Sequence, residues 1–223
     1  FAFPLALVVT GISTGYAERC LQWSGGRVWL QVILFTASYL TAAALIELPM
    51  NYYLGYVREA RFGLSNHTTV SWLIYAAKTY LVGLLLTILV LSVVYYLFRS
   101  TKVAWVVIVP ALLCVLMFAG SILLPRLILP IFYKVTPLNR DSQTEPLYRL
   151  AERMGVSVES ISTIDESRYS RHTNAFFVGW GEGKKIYLFD NLLKQNSLGE
   201  STRILAHEIG HWKGGHAWKH ILI

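Results

Sequence analysis

His207-Glu208-Ile209-Gly210-His211 is the segment with the clearest chemistry. On a helix, two histidines four residues apart lie about 40° apart around the axis. Both imidazoles can therefore reach one Zn²⁺ at about 2.0–2.1 Å. Glu208, one residue along, sits beside the metal and can take a proton from a water held there. Leu205, Ala206 and Ile209 make the remaining faces apolar, as a core helix requires. The pattern predicts His207 and His211 as zinc ligands and Glu208 as the general base of a hydrolase.

A catalytic zinc takes three protein ligands and a water, and this helix supplies two. His216 lies nine residues from His207, roughly 180° around the helix, and points away unless Gly214-Gly215 breaks it. The longer metzincin pattern requires His at 217, where this chain has Ala217. His67 and His172 have no helical spacing to the motif and read as polar surface or interfacial residues. The residues alone identify no third ligand.

Other apparent motifs dissolve on inspection. Gly179-Trp180-Gly181-Glu182-Gly183-Lys184-Lys185 lacks the spacing and the following Ser/Thr of a phosphate loop, and reads as a hairpin turn. Asp165-Glu166 resembles a paired acid, but neighbouring residues on a strand face opposite ways, so a solvated loop pair is expected. Cys20 and Cys114 read as small apolar fillers rather than a disulfide.

The elements around the motif are legible. A helix is expected from Ser197 or Gly199 through His211. An earlier helix from about Thr144 places Leu147, Leu150, Ala151 and Met154 on one face and ends at Gly155. A strand follows over Val156 to Ile164. Residues 175–180 and 185–189 flank Gly181-Glu182-Gly183 as a β-hairpin.

The rest of the chain is charge-poor. Of 223 residues 54% are hydrophobic, and the first 125 hold only seven basic and three acidic side chains. A soluble domain carries about a quarter charged residues. A soluble single domain, a disordered chain and a disulfide scaffold are thereby excluded. Uncharged runs span Val28–Ile46, Thr79–Phe98 and Val103–Pro125, each long enough to cross a hydrocarbon core of about 30 Å. Spans are expected near 1–17 (partial), 28–48, 79–98 and 103–125, with Pro125, Pro130 and Pro137 marking the exit into the polar part. Arg58, Arg61, Arg126, Lys134 and Arg140 flank one side, so loop 51–71 and everything after Pro125 are expected in the cytoplasm. The sequon Asn66-His67-Thr68 would then go unused. The net charge of +7 comes without a basic run or basic helix, so no nucleic-acid partner is expected. The opening at Phe1 and the apolar ending His220-Ile-Leu-Ile read as part of a longer protein.

Several segments resemble the type I CAAX prenyl protease family, integral-membrane zinc endopeptidases of the gluzincin type. They are Leu129-Pro130-Ile131-Phe132 through Thr136-Pro137-Leu138, Ser170-Arg171-His172-Thr173-Asn174-Ala175-Phe176-Phe177, and Lys185 through Leu193. Ala206 through Lys213 and the interspan loop Glu59-Ala60-Arg61-Phe62-Gly63-Leu64-Ser65 complete the likeness. The wording of these segments suggests a bacterial member. The resemblance implies a mainly α membrane protein: a multi-span helical bundle over 1–125, then a small α+β zinc-metalloprotease domain with a β-hairpin over 126–223, incomplete at its C-terminus. It implies one Zn²⁺ per chain, held by His207, His211 and a glutamate beyond residue 223. It also implies that Asn174, Ala175 and Phe176 receive a peptide or protein substrate, lipidated or membrane-associated, as an added strand. The implied setting is the lipid bilayer of a bacterial inner membrane, or of the endoplasmic reticulum in a eukaryote, with the catalytic domain facing the cytoplasm. The rival reading is an inactive homologue or a polytopic membrane scaffold.

Overall fold

The computed structural model describes residues 12–141, 144–179 and 184–214. The chain forms two compact units: one runs up to Val57 and takes in Thr69–Cys114, the other joins Arg58–Thr68 to the chain from Val115 onward.

In chain order the first helices are α1 (Ile12–Trp23), α2 (Val28–Tyr52), α3 (Arg58–Arg61), α4 (Thr69–Ser100) and α5 (Trp105–Phe132), with a π-turn, Tyr53–Val57, between α2 and α3. Long runs of Leu, Val, Ile and Ala form helices because a helix satisfies every backbone polar group within the segment, as hydrocarbon demands. Their side chains do not form a water-shielded core. Within α4 only Trp72 is buried, while Leu85 and Leu89 are more than 60% exposed. Such apolar exposure marks a lipid-facing surface. Val28–Arg61 and Thr69–Ser100 are each long and apolar enough to cross a membrane, and Trp105–Ser121 with Pro125–Phe132 makes a third if the bent pair is one span.

The helices run past the expected spans. α4 begins at Thr69 and carries Lys78, whose long stem lets the ammonium reach a polar region. α5 does not end at Pro125: it bends by 54° between Ser121 and Pro125 and continues to Phe132. A proline inside a helix removes one N–H and crowds the preceding turn, which here produces a bend rather than a stop. Most of the partial span near 1–17 lies outside the described residues, and α1 runs past its expected end to Trp23. Within this unit Gln31 Nε2 donates to the Ala17 carbonyl at 2.9 Å, tying α2 to α1, and the Thr41 and Tyr80 hydroxyls join α2 to α4.

The second unit contains a mixed four-stranded sheet in the order β1-β2-β4-β3, from β1 (Val135–Pro137), β2 (Val158–Ile164), β3 (Ala175–Val178) and β4 (Lys184–Phe189). β2 runs parallel to β4, and the outer pairs are antiparallel. Helices α6 (Glu145–Arg153), α7 (Asp190–Gln195) and α8 (Leu198–Lys213) complete it. The expected face of α6 is the one it buries: Leu147 and Ala151 are 1% exposed, and Leu150 and Met154 pack beside them. Gly155 adopts φ +65°, and the Val156 N–H reaches the Ala151 carbonyl at 2.9 Å, closing α6 with the left-handed cap that glycine favours. β3 and β4 pair from Ala175↔Leu188 to Val178↔Lys185 as a hairpin expects; the turn Gly181-Glu182-Gly183 lies outside the described residues.

One sheet face packs Ile161, Ala175, Ile186 and Leu188 against Leu147, Leu192, Leu205 and Ile209 of the helices. The other packs Ile164, Val178 and Tyr187 against Leu129 and Tyr133. Burying each such aliphatic side chain contributes about 1.5–3 kcal/mol. The first cluster holds α8 against the sheet.

Candidate active site

α8 opens with a reciprocal cap. The Ser197 N–H and hydroxyl both donate to Glu200 Oε2 at 2.8 Å, and the Glu200 N–H returns a bond to Ser197 Oγ at 3.3 Å. This is the S-x-x-E arrangement that fixes a helix start, and the Ser197 backbone N–H holds the Glu200 carboxyl below its usual range. From there the period places Ser201, Leu205 and Ile209 in the core, each at most 1% exposed. His207 and His211 fall on the opposite, exposed side, and Glu208 lies half-buried on the flank.

The two imidazoles converge as the spacing requires. Their Nε2 atoms are 2.8 Å apart, with ring centroids 4.4 Å apart and planes at 86°. A tetrahedral zinc holds nitrogen ligands about 3.3 Å apart, so a small side-chain turn admits the ion. The donor set fits zinc in type and direction. Among the described residues no group of three His, Cys, Asp or Glu side chains is placed to hold a metal, and His216 and His220 lie outside them. Among the described residues the site therefore brings together two imidazole nitrogens and an adjacent carboxylate.

β3 lies beside α8 and is an edge strand, paired only with β4 among the described strands. The Phe189 N–H donates to the Asn174 carbonyl at 2.9 Å. In an antiparallel ladder this marks 174/189 as a hydrogen-bonded pair, so Ala175 and Phe177 turn their backbone N–H and C=O toward the open edge. Asn174 Oδ1 accepts the Ala175 N–H at 2.8 Å. Ala175 is buried, and the Phe176 ring is engaged, stacked on Tyr187 at 5.4 Å with Phe189 edge-on.

The loop before β3 departs from the sequence reading. Asp165-Glu166 is not a solvated pair: Asp165 Oδ1 accepts the Lys134 N–H at 2.6 Å, and Glu166 is only 8% exposed, with Oε1 accepting the Ser170 hydroxyl at 2.5 Å. Glu166 heads a 3₁₀ turn, Glu166–Arg168, which turns its side chain inward where an extended loop would have left it in water. His172 is exposed and meets Glu59 at 3.2 Å; His67 is half-buried, stacked on Tyr169, and burial lowers its pKa. Sequence reasoning missed Asn66, whose amide donates to the carbonyls of Ser167 at 2.8 Å and Ser170 at 3.2 Å, and Asn191, which bonds the carbonyls of Ser170 and His172. A signal for Asn66 existed in the polar Ser65-Asn66-His67 that follows the interspan segment, but its sequon reading masked it.

The family model described as CAAX prenyl protease N-terminal, five membrane helices, matches residues 1–134, and that of peptidase family M48 matches 138–223. CAAX prenyl protease 1 of Saccharomyces cerevisiae is 34% identical over 193 residues, covering 83% of this chain and 41% of that protein. The CAAX prenyl protease 1 homolog of Homo sapiens is 26% identical, covering 86% and 48%. The crystal structure of S. mikatae Ste24p superposes with a TM-score of 0.79 at 30% identity, covering 86% of this chain and 45% of that one. The chain thus spans less than half the length of these relatives. With one family model covering its membrane helices and the other its two-histidine helix, the chain belongs to the CAAX prenyl protease family of M48 membrane metallopeptidases.

Proposed function

We propose that the protein is a membrane-embedded zinc endopeptidase that cuts peptide bonds in a chain bound along β3. The observation that carries this is the convergence of His207 and His211 Nε2 at 2.8 Å on the exposed side of α8, with Glu208 one residue along. His207 and His211 would hold one zinc per chain, and a glutamate beyond residue 223 would supply the third ligand, as the family resemblance implies. When bound, zinc supplies Lewis-acid polarisation of the scissile carbonyl and acidifies water. Glu208 takes the proton of the attacking water and passes it to the leaving amine. The open edge of β3 offers the Ala175 carbonyl and the Phe177 N–H and C=O to an extended peptide, the Ala175 N–H being held by Asn174 Oδ1. Asn174 sets the start of that edge, and Phe176 anchors the strand through its ring.

The substrate is a peptide or protein that is prenylated or otherwise membrane-associated, as the names of the relatives suggest. The division at residue 125 into a membrane part and a cytoplasm-facing catalytic part belongs to the same proposal, supported by the basic residues after Pro125. In a bacterial source the membrane is the inner membrane, in a eukaryote the endoplasmic reticulum.

Glu208→Gln tests the reading. In the full-length protein it should lower peptide cleavage by about 10²–10⁴-fold while zinc stoichiometry stays at the wild-type level. Turnover retained by this variant would refute the role of Glu208.

A further inference from the structure

Arg58–Thr68 lies between two apolar helices in the sequence, yet it belongs to the compact unit that contains the sheet and α8. Its first residues form α3, closed by Gly63 at φ +67° with the Leu64 N–H reaching the Glu59 carbonyl at 2.9 Å. The chain then runs extended beside the loop that leads into β3. The Asn66 N–H donates to the Tyr169 carbonyl at 2.9 Å, and the Arg171 N–H donates to the Leu64 carbonyl at 2.8 Å, so Ser65 and Ser170 form an antiparallel bridge.

Side chains reinforce this pairing. The Asn66 amide directs both its protons at the loop, to the Ser167 and Ser170 carbonyls. From α7 the Asn191 amide meets the same Ser170 carbonyl at 2.8 Å and the His172 carbonyl at 3.0 Å. The loop is thus gripped by two asparagine amides converging on one carbonyl oxygen. Glu59 adds a contact to the His172 ring two residues before Asn174.

We infer that Asn66, assisted by Glu59, is a positioning residue for the substrate strand. Neither side chain is placed among the two histidines and Glu208. Asn66 acts through residues 167–172, fixing where the chain enters β3 and hence the register in which β3 presents its open edge. The inference rests on the proposed peptidase reading and names a determinant of that site outside the zinc helix. A loosened loop would weaken addition of the peptide to an edge no longer held in place, leaving the proton transfer at Glu208 unaffected. The effect therefore belongs in KM rather than kcat.

The test uses the full-length protein and a quenched fluorogenic peptide, with zinc content and amide exchange of residues 169–175 measured on the same preparations. Asn66→Ala and Asn66→Asp, which both remove the two donors, should raise KM about fivefold with kcat within about twofold. Zinc content should stay unchanged, and exchange at 169–175 should rise. Glu59→Ala should raise KM about twofold, and Glu59→Gln, which keeps an acceptor for His172, should restore it. Unchanged KM and exchange in the Asn66 variants would overturn the inference, as would a fall in kcat and zinc content with KM intact. If wild type and Glu208→Gln were equally inactive, the peptidase reading would fail, and with it the role in substrate positioning. Wild-type activity that survives every Asn66 change would leave the peptidase reading standing and remove only the clamp.

Discussion

Leu205 and Ile209 hold α8 by burial, whereas the loop from Asp165 to Asn174, in the same compact unit, is held by hydrogen bonds. The helix places an apolar stripe in the core and leaves its histidines on the far side. The loop is gripped through Asn66, Asn191 and Asp190, which reach its backbone at 2.8–3.2 Å. The difference matches the tasks. Burial is non-directional and proportional to area, which suits a rigid helix whose own geometry already aims two side chains. A loop has no internal ladder to aim it, so its backbone carbonyls need partners of defined direction. The histidine-bearing helix is positioned by what it hides, and β3 by what its lead-in loop accepts.

The largest expected effect sharpens the apolar side of this contrast. Leu205 is fully buried among the sheet and α6. Leu205→Ala should cost about 2–5 kcal/mol by transfer and cavity terms together, read as a lowered unfolding temperature of the full-length protein in detergent. The cost should be the same at pH 5 and pH 7, since no titrating group is removed. A loss under about 1 kcal/mol would mean that α8 is held by something other than this core.

The polar side should respond differently. Asp190 accepts the Ser167 N–H at 2.8 Å, the Ser167 hydroxyl at 2.5 Å and the Lys194 ammonium at 2.7 Å. Burial pushes its carboxyl up, but the bonds from Lys194 and Ser167 outweigh that and leave it below the ordinary 3.8. Asp190→Ala should cost about 1–3 kcal/mol at neutral pH. Because the folded carboxyl is the stronger acid, its stabilisation is complete above the ordinary value and is lost as pH falls through the lowered one. The gap between wild type and variant in unfolding temperature should therefore narrow in acid, where that of Leu205→Ala does not. A gap that stays constant with pH would assign the loss to packing and break the contrast.

How much of this could be read from the sequence follows the same divide. Periodicity exposed α6 and α8 because a buried helix face repeats every three to four residues, and Leu147, Ala151, Leu205 and Ile209 do so. The pair His207 and His211 was legible for the same reason: helical spacing converts directly into distance. The edge position of β3 was implied by the family resemblance, but the parallel pairing of β2 with β4 has no local signal. Asn66 and Glu59 were opaque as clamps because their partners lie more than a hundred positions away, and one asparagine looks the same whether it faces water or a distant carbonyl. Glu166 was misread for a related reason, since a single 3₁₀ turn reverses the direction of a side chain without changing the composition around it. The bend at Pro125 shows the limit of punctuation: proline marks where a helix is disturbed, not whether it stops.

The smallest effect tests whether polarity, with surface partners, separates the two regions. Glu145 at the start of α6 accepts from Arg140 Nε at 2.6 Å and from Arg149 Nε at 2.9 Å, which hold its carboxyl down to about 2 against an ordinary 4.5. Arg140 first and Arg149 second cause the shift. The geometry is as good as that around Asp190, but the Glu145 side chain is more exposed, 26% against 18%, and its partners Arg140 and Arg149 lie at the surface, where water and salt screen the attraction. The folded carboxyl is again the stronger acid, so any stabilisation is present above about 4.5 and disappears as pH falls toward about 2. Glu145→Gln should therefore shift the unfolding temperature only slightly at neutral pH, and the shift should vanish near pH 2 and shrink in high salt. A shift as large as that of Asp190→Ala, insensitive to salt, would show that hydrogen-bond geometry rather than burial sets the strength of these polar contacts. The loop that leads into β3 would then owe its order to the number of its bonds and not to the burial of Asn191 and Glu166, which bond Ser170.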